Sequence, residues 1–235
     1  MRRFVQAFAD PAPWPSTWPQ ETTTVLNDAD AHYNIGPNDD AWVVLSRDGM
    51  QAERFRWGLV PPWSKEPTTK YTTITARLER ASRSRIFGKP WKSQHCVVPM
   101  TGYYKLDRTT KPPAPHFIQS ISGEPLLAAG LWERWEKEGE LCSFTILTNP
   151  NQAIPAPLTP DGPVFLGHAA PHLWLDGPQF LAGALLRLAN ASELNSYPVS
   201  PRYRDRTRDD YTLLEPASAT DYLEPLRPDD DEEDE

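Results

Sequence analysis

Two histidines in the segment "GHAAPH" have a spacing that occurs in metal sites. His168 and His172 form an HxxxH pair, which can bind zinc when a third ligand is present. The chain offers no evident third ligand, and a proline precedes His172, so we assign neither a metal nor a cofactor. The phosphate loops GxGxxG and GxxxxGKS/T and the nucleophile elbow GxSxG are absent. Generic motifs therefore define no active site.

Basic residues are concentrated in one stretch of the chain, between Lys65 and Lys92. They are Lys65, Lys70, Arg77, Arg80, Arg83, Arg85, Lys89 and Lys92. Only Glu66 and Glu79 oppose them, so eight basic against two acidic residues give a local charge of +6. A second cluster, "RYRDRTR", spans Arg202 to Arg208. Two such clusters favour a polyanionic partner such as nucleic acid. The alternative is that they are solvated faces of helices and loops.

The formal net charge of −8 is misleading, because the last seven residues, Asp229 to Glu235, are all acidic. Without them the chain has 24 basic and 25 acidic residues and is nearly neutral. We predict that residues 226–235 form a disordered acidic tail, since like charges repel and nothing apolar is there to bury. This tail could aid solubility, compete for the basic surface as a nucleic-acid mimic, or bind a protein partner.

The composition is that of a globular protein, with 39% hydrophobic and 24% charged residues. The 26 prolines are about twice the average usage of roughly 5% and predict short strands with rigid connections. Cys96 and Cys142 lack CxxC spacing, so we expect buried free thiols in a reducing compartment. No stretch resembles a signal peptide or a membrane span, and the expected location is the cytoplasm, without a membrane partner.

Strand-like segments dominate the pattern. "AWVVLSRDG" and "ERFRWGLVP" predict paired strands, with Asp48-Gly49 as the hairpin turn. Aromatic and β-branched residues predict further strands in "QHCVVPMTGYYKL", "PHFIQS", "EPLLAAGLWERW" and "ELCSFTILTN". Helices are predicted for "LNDADAHYNI", for Arg77 to Phe87, and after Pro178. The pattern indicates one α+β domain, residues 1–225.

Eight segments occur in a fixed order. They are "YNIGP" (33–37), "WGLVPPW" (57–63), "TARLER" (75–80), "CVVPMTGYYKL" (96–106), "AAGLWERW" (128–135), "SFTILT" (143–148), "PVFL" (163–166) and "YPVSP" (197–201). Together they resemble the SRAP family (SOS response-associated peptidase, formerly DUF159), which senses abasic sites in single-stranded DNA. The resemblance spans Arg3 to about Arg208. It implies the SRAP fold, an α+β architecture with a β-rich, barrel-like core and peripheral helices.

The residues that carry the family's chemistry are replaced in this chain. Members begin Met-Cys-Gly-Arg-Phe, and the resemblance implies that this cysteine closes a thiazolidine ring on the aldehyde of an abasic sugar. An Asn, a Glu and a His complete the family's site. The matching positions here carry Arg2, Thr75, Lys105 and Thr159.

These replacements remove the functional groups that the reaction needs. Without a thiol beside the amine, a Schiff base cannot be trapped as a ring, so any adduct stays hydrolysable. Lys105 cannot act as a carboxylate base, and Thr159 does not titrate near neutral pH as histidine does. We therefore expect neither thiazolidine crosslinking nor autopeptidase activity, as in a pseudoenzyme.

The part of the family's site that faces DNA remains recognisable. Arg3, Arg77 and Lys105 could meet phosphates, and Trp63 could stack on a base or merely pack at the rim of the core. We expect Trp57 in the core. The full set of predicted DNA-contacting residues is Arg3, Phe4, Trp63, Thr75, Arg77 and Lys105.

The expected function is that of a single-stranded DNA-binding protein of the DNA damage response. Its DNA could be abasic, and bound protein would be associated with the nucleoid. Two alternatives stay open. One is a protein-interaction module that kept the fold and uses the acidic tail. The other is residual Schiff-base chemistry at the Met1 α-amine or Lys105, since amines of lowered pKa attack aldehydes.

Overall fold

A computed structural model describes residues 1–69, 72–168, 170–177, 186 and 193–222. The predicted acidic tail, the domain limit at residue 225 and Lys70 lie outside the described residues. So does most of the helix predicted after Pro178.

The described ranges contain thirteen strands, four α-helices and three short 3-10 helices at Pro201–Arg204, Tyr211–Leu214 and Ala219–Tyr222. The strands are β1 (Phe4–Gln6), β2 (His32–Ile35), β3 (Asp40–Ser46), β4 (Met50–Trp57), β5 (Thr75–Arg77), β6 (His95–Met100), β7 (Gly102–Asp107), β8 (Ala114–Ser120), β9 (Leu126–Glu136), β10 (Glu140–Pro150), β11 (Asp161–Pro163), β12 (Phe165–Leu166) and β13 (Leu194–Pro198). The helices are α1 (Gln20–Asn27), α2 (Leu78–Ala81), α3 (Pro90–Ser93) and α4 (Pro171–Asp176). Of the helices that the structure describes, none has the length and apolar character needed to span a membrane.

Five strands close on themselves to form a barrel in the order β10-β4-β3-β6-β9, with β9 pairing back to β10. The pairs are antiparallel except β4–β10, in which Phe144 lies opposite Trp57 in parallel register. β5, β11 and β12 extend this sheet to eight strands. Closure satisfies the backbone groups that an open sheet would leave at its edges. The predicted α+β fold with a β-rich, barrel-like core is confirmed.

A second sheet of five strands has the order β13-β8-β7-β1-β2 and packs against the first. Phe4 of β1 and Tyr103 of β7 share one buried cluster with Trp57 of β4 and Phe144 of β10. A second cluster lies on the other side of the larger sheet, where Trp174 of α4 is buried with apolar residues of β6 and β9. The larger sheet is thus covered on both faces.

The hairpin between β3 and β4 forms where the sequence predicts it. Asp48 has φ 51° and Gly49 has φ 116°, the left-handed conformations that this dipeptide adopts readily. The four later strand segments are also confirmed, "QHCVVPMTGYYKL" as two strands, β6 and β7, separated by Thr101.

Two helix predictions are corrected by the structure. The segment "LNDADAHYNI" covers only the last two residues of α1 and then becomes strand β2. Helix α1 lies earlier in the chain than Asp28 and Asp30 would indicate as helix-start residues, because the side chains that it buries are Thr22 and Leu26. The helix predicted from Arg77 to Phe87 is reduced to α2, which is followed by turns.

Candidate nucleic-acid interface

A small pocket lies where β1, β7 and the loop before β11 meet. Its volume is about 160 Å³, and it is lined by Met1, Arg2, Arg3, Tyr104, Lys105, Leu106, Arg108, Thr159 and Tyr203. Antiparallel pairing of β1 with β7 places Phe4 opposite Tyr103, and the Tyr104 amide donates to the Arg3 carbonyl oxygen at 3.1 Å. Pairing therefore fixes the start of the chain beside Lys105.

Lys105 connects this pocket to the segment around Asp161. Its Nζ donates a hydrogen bond to the Asp161 carbonyl oxygen at 2.6 Å. Burial lowers the pKa of the Lys105 ammonium; the Asp161 carboxylate opposes that shift, and the Arg108 guanidinium adds to it. A cation that is partly removed from water and has another cation nearby favours an anion as its ligand.

Asp161 also holds Arg77, through its side chain. The Arg77 Nη1 and the Asp161 Oδ1 are 2.6 Å apart. Strand β10 brings the two residues together, because Thr148 pairs with Arg77 of β5 and the neighbouring Pro150 pairs with Asp161 of β11. This ion pair joins residues 84 positions apart in the sequence.

Three of the four positions that the resemblance matches to the family's chemical residues, Arg2, Lys105 and Thr159, line this one pocket. The fourth, Thr75, lies two residues before Arg77 in β5, opposite Ile146 of β10. Asp161 contacts Lys105 of the pocket and Arg77 of β5, so the segments "TARLER" and "CVVPMTGYYKL" lie close together at this surface.

The sequence profile described as SOS response associated peptidase (SRAP) matches residues 3–205. The chain belongs to the SRAP family.

Curated relatives in this SRAP family come from bacteria, a phage and eukaryotes. "Abasic site processing protein YoqW" of Bacillus subtilis is 32% identical over 179 residues, covering 72% of this chain and 78% of that protein. "Abasic site processing protein HMCES" of Xenopus tropicalis is 29% identical over 203 residues, covering 72% and 61%.

Solved structures agree in fold. A protein from Bacteroides thetaiotaomicron gives a TM-score of 0.72 at 18% identity, covering 92% of this chain and 99% of that one. A phage-related protein from Bordetella bronchiseptica gives 0.65 at 24% identity, covering 85% and 94%.

Two of the residues predicted to contact DNA in this SRAP chain are buried. Phe4 is fully buried, with its ring edge-on to Trp57 at a centroid distance of 4.9 Å, so its side chain packs in the core and is not exposed at the surface. Arg3 is only 5% exposed and donates to Asn34 Oδ1 at 3.3 Å and to the Arg204 carbonyl oxygen at 3.4 Å. Arg3 lines the pocket, but its hydrogen bonds tie β1 to neighbouring segments.

The two tryptophans of "WGLVPPW" have different environments. Trp57 is fully buried and donates from Nε1 to the Ile74 carbonyl oxygen at 2.8 Å, which confirms its predicted core position. Trp63 is 41% exposed and borders a separate cleft of about 650 Å³ that also contains Lys65 and Arg85. The Arg85 guanidinium lies 5.5 Å from the centre of the Trp63 ring. An exposed ring beside the Arg85 guanidinium, in a cleft that also contains Glu66, is a suitable surface for stacking a base.

The second basic cluster is held against the fold by its own acidic neighbours. Arg202 pairs with Asp221 at 3.2 Å, and the Asp209 carboxylate accepts hydrogen bonds from the backbone amides of Tyr33 and Asn34 in β2. Asn34 in turn donates to the Asp205 carbonyl oxygen at 3.0 Å. The segment that contains Asp205 and Asp209 therefore packs against β2.

Sequence reasoning missed Arg108 and the ion-pairing role of Asp161. No local sequence signal points to Asp161 as the partner of Arg77, because the two residues are 84 positions apart. Packing favours glycine at the neighbouring position, Gly162, because a Cβ there would lie 2.7 Å from Ile154 Cδ1 and 3.1 Å from the Tyr103 hydroxyl.

The described residues contain no group of three or more His, Cys, Asp and Glu side chains arranged to hold a metal ion. His168 lies 3.9 Å from Glu124, away from the pocket that contains Lys105.

Proposed function

We propose that this SRAP chain binds single-stranded DNA, including abasic DNA, without forming the family's stable thiazolidine crosslink. One observation carries the proposal. The pocket that contains Arg2, Lys105 and Thr159, three positions that the resemblance matches to the family's chemistry, is lined by four cationic side chains and, among the described residues, by no thiol or carboxylate. Such a pocket attracts the sugar-phosphate backbone, but it lacks the groups that would trap a sugar aldehyde.

The two cysteines cannot supply the missing thiol. Cys96 is fully buried within the core, and burial raises the pKa of its thiol. Cys142 lies in β10 and is not among the residues that line the pocket; burial also raises the pKa of its thiol. A thiol that is held protonated and away from the substrate forms no ring with it.

Affinity for DNA is supported by the cations of the pocket, by Arg77 and by the separate cleft at Trp63. Arg2 and Arg108 line the pocket, and Arg77 is 53% exposed at its side chain. Trp63 and Arg85 border the separate cleft. Phosphate contacts from such cations dominate non-specific affinity, and an exposed aromatic ring adds stacking that tolerates any base. Relatives described as abasic site processing proteins support abasic DNA as a ligand.

A second candidate function, reversible imine formation, is favoured by the position of Lys105. Its amine lines the pocket, and burial lowers the pKa of its ammonium, which increases the fraction of free amine at neutral pH. Condensation with an aldehyde would release water and leave a hydrolysable C=N bond. The acidic-tail interaction module remains the alternative if DNA is not bound.

The test is a titration of labelled single-stranded DNA, with and without an abasic site, followed by denaturing gels with and without borohydride. Both DNAs should bind at low salt, affinity should fall steeply as salt rises, and no adduct should survive denaturation without borohydride. Arg77→Gln should weaken binding, whereas Arg134→Gln, an equal charge change on the β9–β10 hairpin, should not. Failure to bind either DNA at low salt would refute the proposal.

A further inference from the structure

The loop that follows β4 and carries Trp63 is tied to the end of β9. Trp135 Nε1 donates to the Ser64 carbonyl oxygen at 2.9 Å, and Lys137 Nζ donates to the Trp63 carbonyl oxygen at 3.3 Å. Trp135 is the last residue but one of β9 and is only 2% exposed. Because a buried N–H needs an acceptor, this bond fixes the backbone beside Trp63.

The same loop has further constraints at its other residues. The Arg56 guanidinium of β4 donates to the Pro67 carbonyl oxygen. The Ser64 amide donates to the Pro61 carbonyl oxygen at 2.9 Å, which closes a turn. The φ angles of Pro61, Pro62 and Pro67 are restricted by their rings. Surface loops commonly leave their backbone groups to water, whereas this loop uses donors from the barrel strands.

Alternation along β9 directs Trp135, and not its neighbours, to the loop. Successive side chains of a strand face opposite sides, and Arg134 and Glu136 form an ion pair with each other at 2.7 Å. Trp132, on the same strand, packs against Phe55 instead, with the two ring centres 5.6 Å apart. Trp132 therefore provides a matched control for a substitution at Trp135.

A fixed loop matters for stacking because ordering a side chain on binding costs free energy. That cost lowers the affinity unless the free protein already holds the side chain in its bound position. The Trp63 ring is exposed, but the Arg85 guanidinium lies 5.5 Å from its centre, and its backbone is held by Lys137. The free protein thus already limits the positions of the ring.

We propose that Trp135 is a positioning residue for DNA binding, whose buried N–H holds the loop so that the Trp63 ring is oriented in advance to stack on an unpaired base. Lys137 supports the same geometry from its position just after β9. This inference rests on the proposed function, because the base is presented by single-stranded DNA. Trp135 is uncharged and buried, so it contacts no phosphate, and its loss should leave the salt dependence of binding unchanged.

The experiment uses Trp135→Phe, which keeps an aromatic ring and removes the N–H donor. Binding of the full chain to labelled single-stranded DNA is measured by fluorescence anisotropy at several salt concentrations. The Kd should rise about 2- to 13-fold, the usual effect of one lost hydrogen bond, and the slope of log K against log salt should not change. Trp132→Phe, the same exchange on the same strand, should leave the Kd unchanged.

A double-variant cycle decides whether the loss acts through Trp63. In a Trp63→Ala background, Trp135→Phe should have no further effect on the Kd. If Trp135→Phe does not fold, Lys137→Met gives the same test at an exposed side chain, and its effect should also disappear with Trp63→Ala. An unchanged Kd in Trp135→Phe, an equal loss in Trp132→Phe, or a loss that persists with Trp63→Ala would overturn the inference.

Hydrogen exchange separates this inference from the proposed function, because it needs no DNA. The amides of residues 61–68 should exchange faster in Trp135→Phe than in the wild type and in Trp132→Phe. If the wild type binds no DNA but this exchange is faster, the proposed function fails and the fixing of the loop by Trp135 stands. If DNA binds and neither the exchange nor the Kd changes in Trp135→Phe, DNA binding stands and the positioning role is refuted.

Discussion

Replacing Asp161 should strengthen DNA binding. Its carboxylate holds Arg77 at 2.6 Å, with the two side chains 44% and 53% exposed. A phosphate that binds Arg77 must compete with this carboxylate. In Asp161→Asn the ion pair is lost, and the backbone carbonyl oxygen that accepts from Lys105 is retained.

The size of the effect follows from the exposure of the pair. Ion pairs this accessible to water contribute about 0.2–1 kcal/mol. Removing such a competitor should lower the Kd for single-stranded DNA about 1.4- to 5-fold. If Arg77 then gains one phosphate contact, the slope of log K against log salt should steepen by about 0.7.

Fluorescence anisotropy at several salt concentrations measures both quantities. Glu136→Gln is the matched control, because it removes the same charge from an exposed ion pair with Arg134 at 2.7 Å. In an Arg77→Gln background, Asp161→Asn should have a much smaller effect. An unchanged or weaker affinity in Asp161→Asn would refute the competition argument. An equal gain in affinity in Glu136→Gln would show that the effect of Asp161→Asn is a general effect of net charge.

Three further predictions follow from the same contacts. Trp63→Ala should weaken DNA binding by about 1–3 kcal/mol without changing the urea midpoint of unfolding, and unchanged binding in this variant would exclude stacking. Trp57→Ala should instead lower the free energy of unfolding by about 3–5 kcal/mol, because it empties a core position. Borohydride should trap no adduct on abasic DNA in Lys105→Met, and an adduct that survives denaturation without reductant in the wild type would contradict the loss of the crosslink. A thiol reagent should label Cys142 far faster than Cys96 in the native chain, and both cysteines at the same rate in denaturant, as measured by mass spectrometry. Early labelling of Cys96 in the native chain would contradict its burial.

Short-range signals in the sequence determined much of the secondary structure of this protein. The Asp48-Gly49 hairpin and the strands rich in aromatic and β-branched residues form where local conformational preference predicts them. The ordered segments were sufficient to identify the family, which the profile over residues 3–205 confirms. The helix expected in "LNDADAHYNI" failed because the pairing of β2 with β1 overrode a weak local signal.

The tertiary structure decided which side chains face the pocket and which face the core. Arg3 and Phe4 are neighbours in sequence, yet Arg3 lines the pocket while Phe4 packs on Trp57. The sequence identified Arg77 but not its partner Asp161, since their contact depends on the register of β5 and β11 on β10. Side chains alternate across a strand, so a shift of one residue would send each of them to the other face. The register of the strands is set by burial on both faces of the sheet. The buried residues that determine it are spread over the whole chain, so no local segment specifies the register.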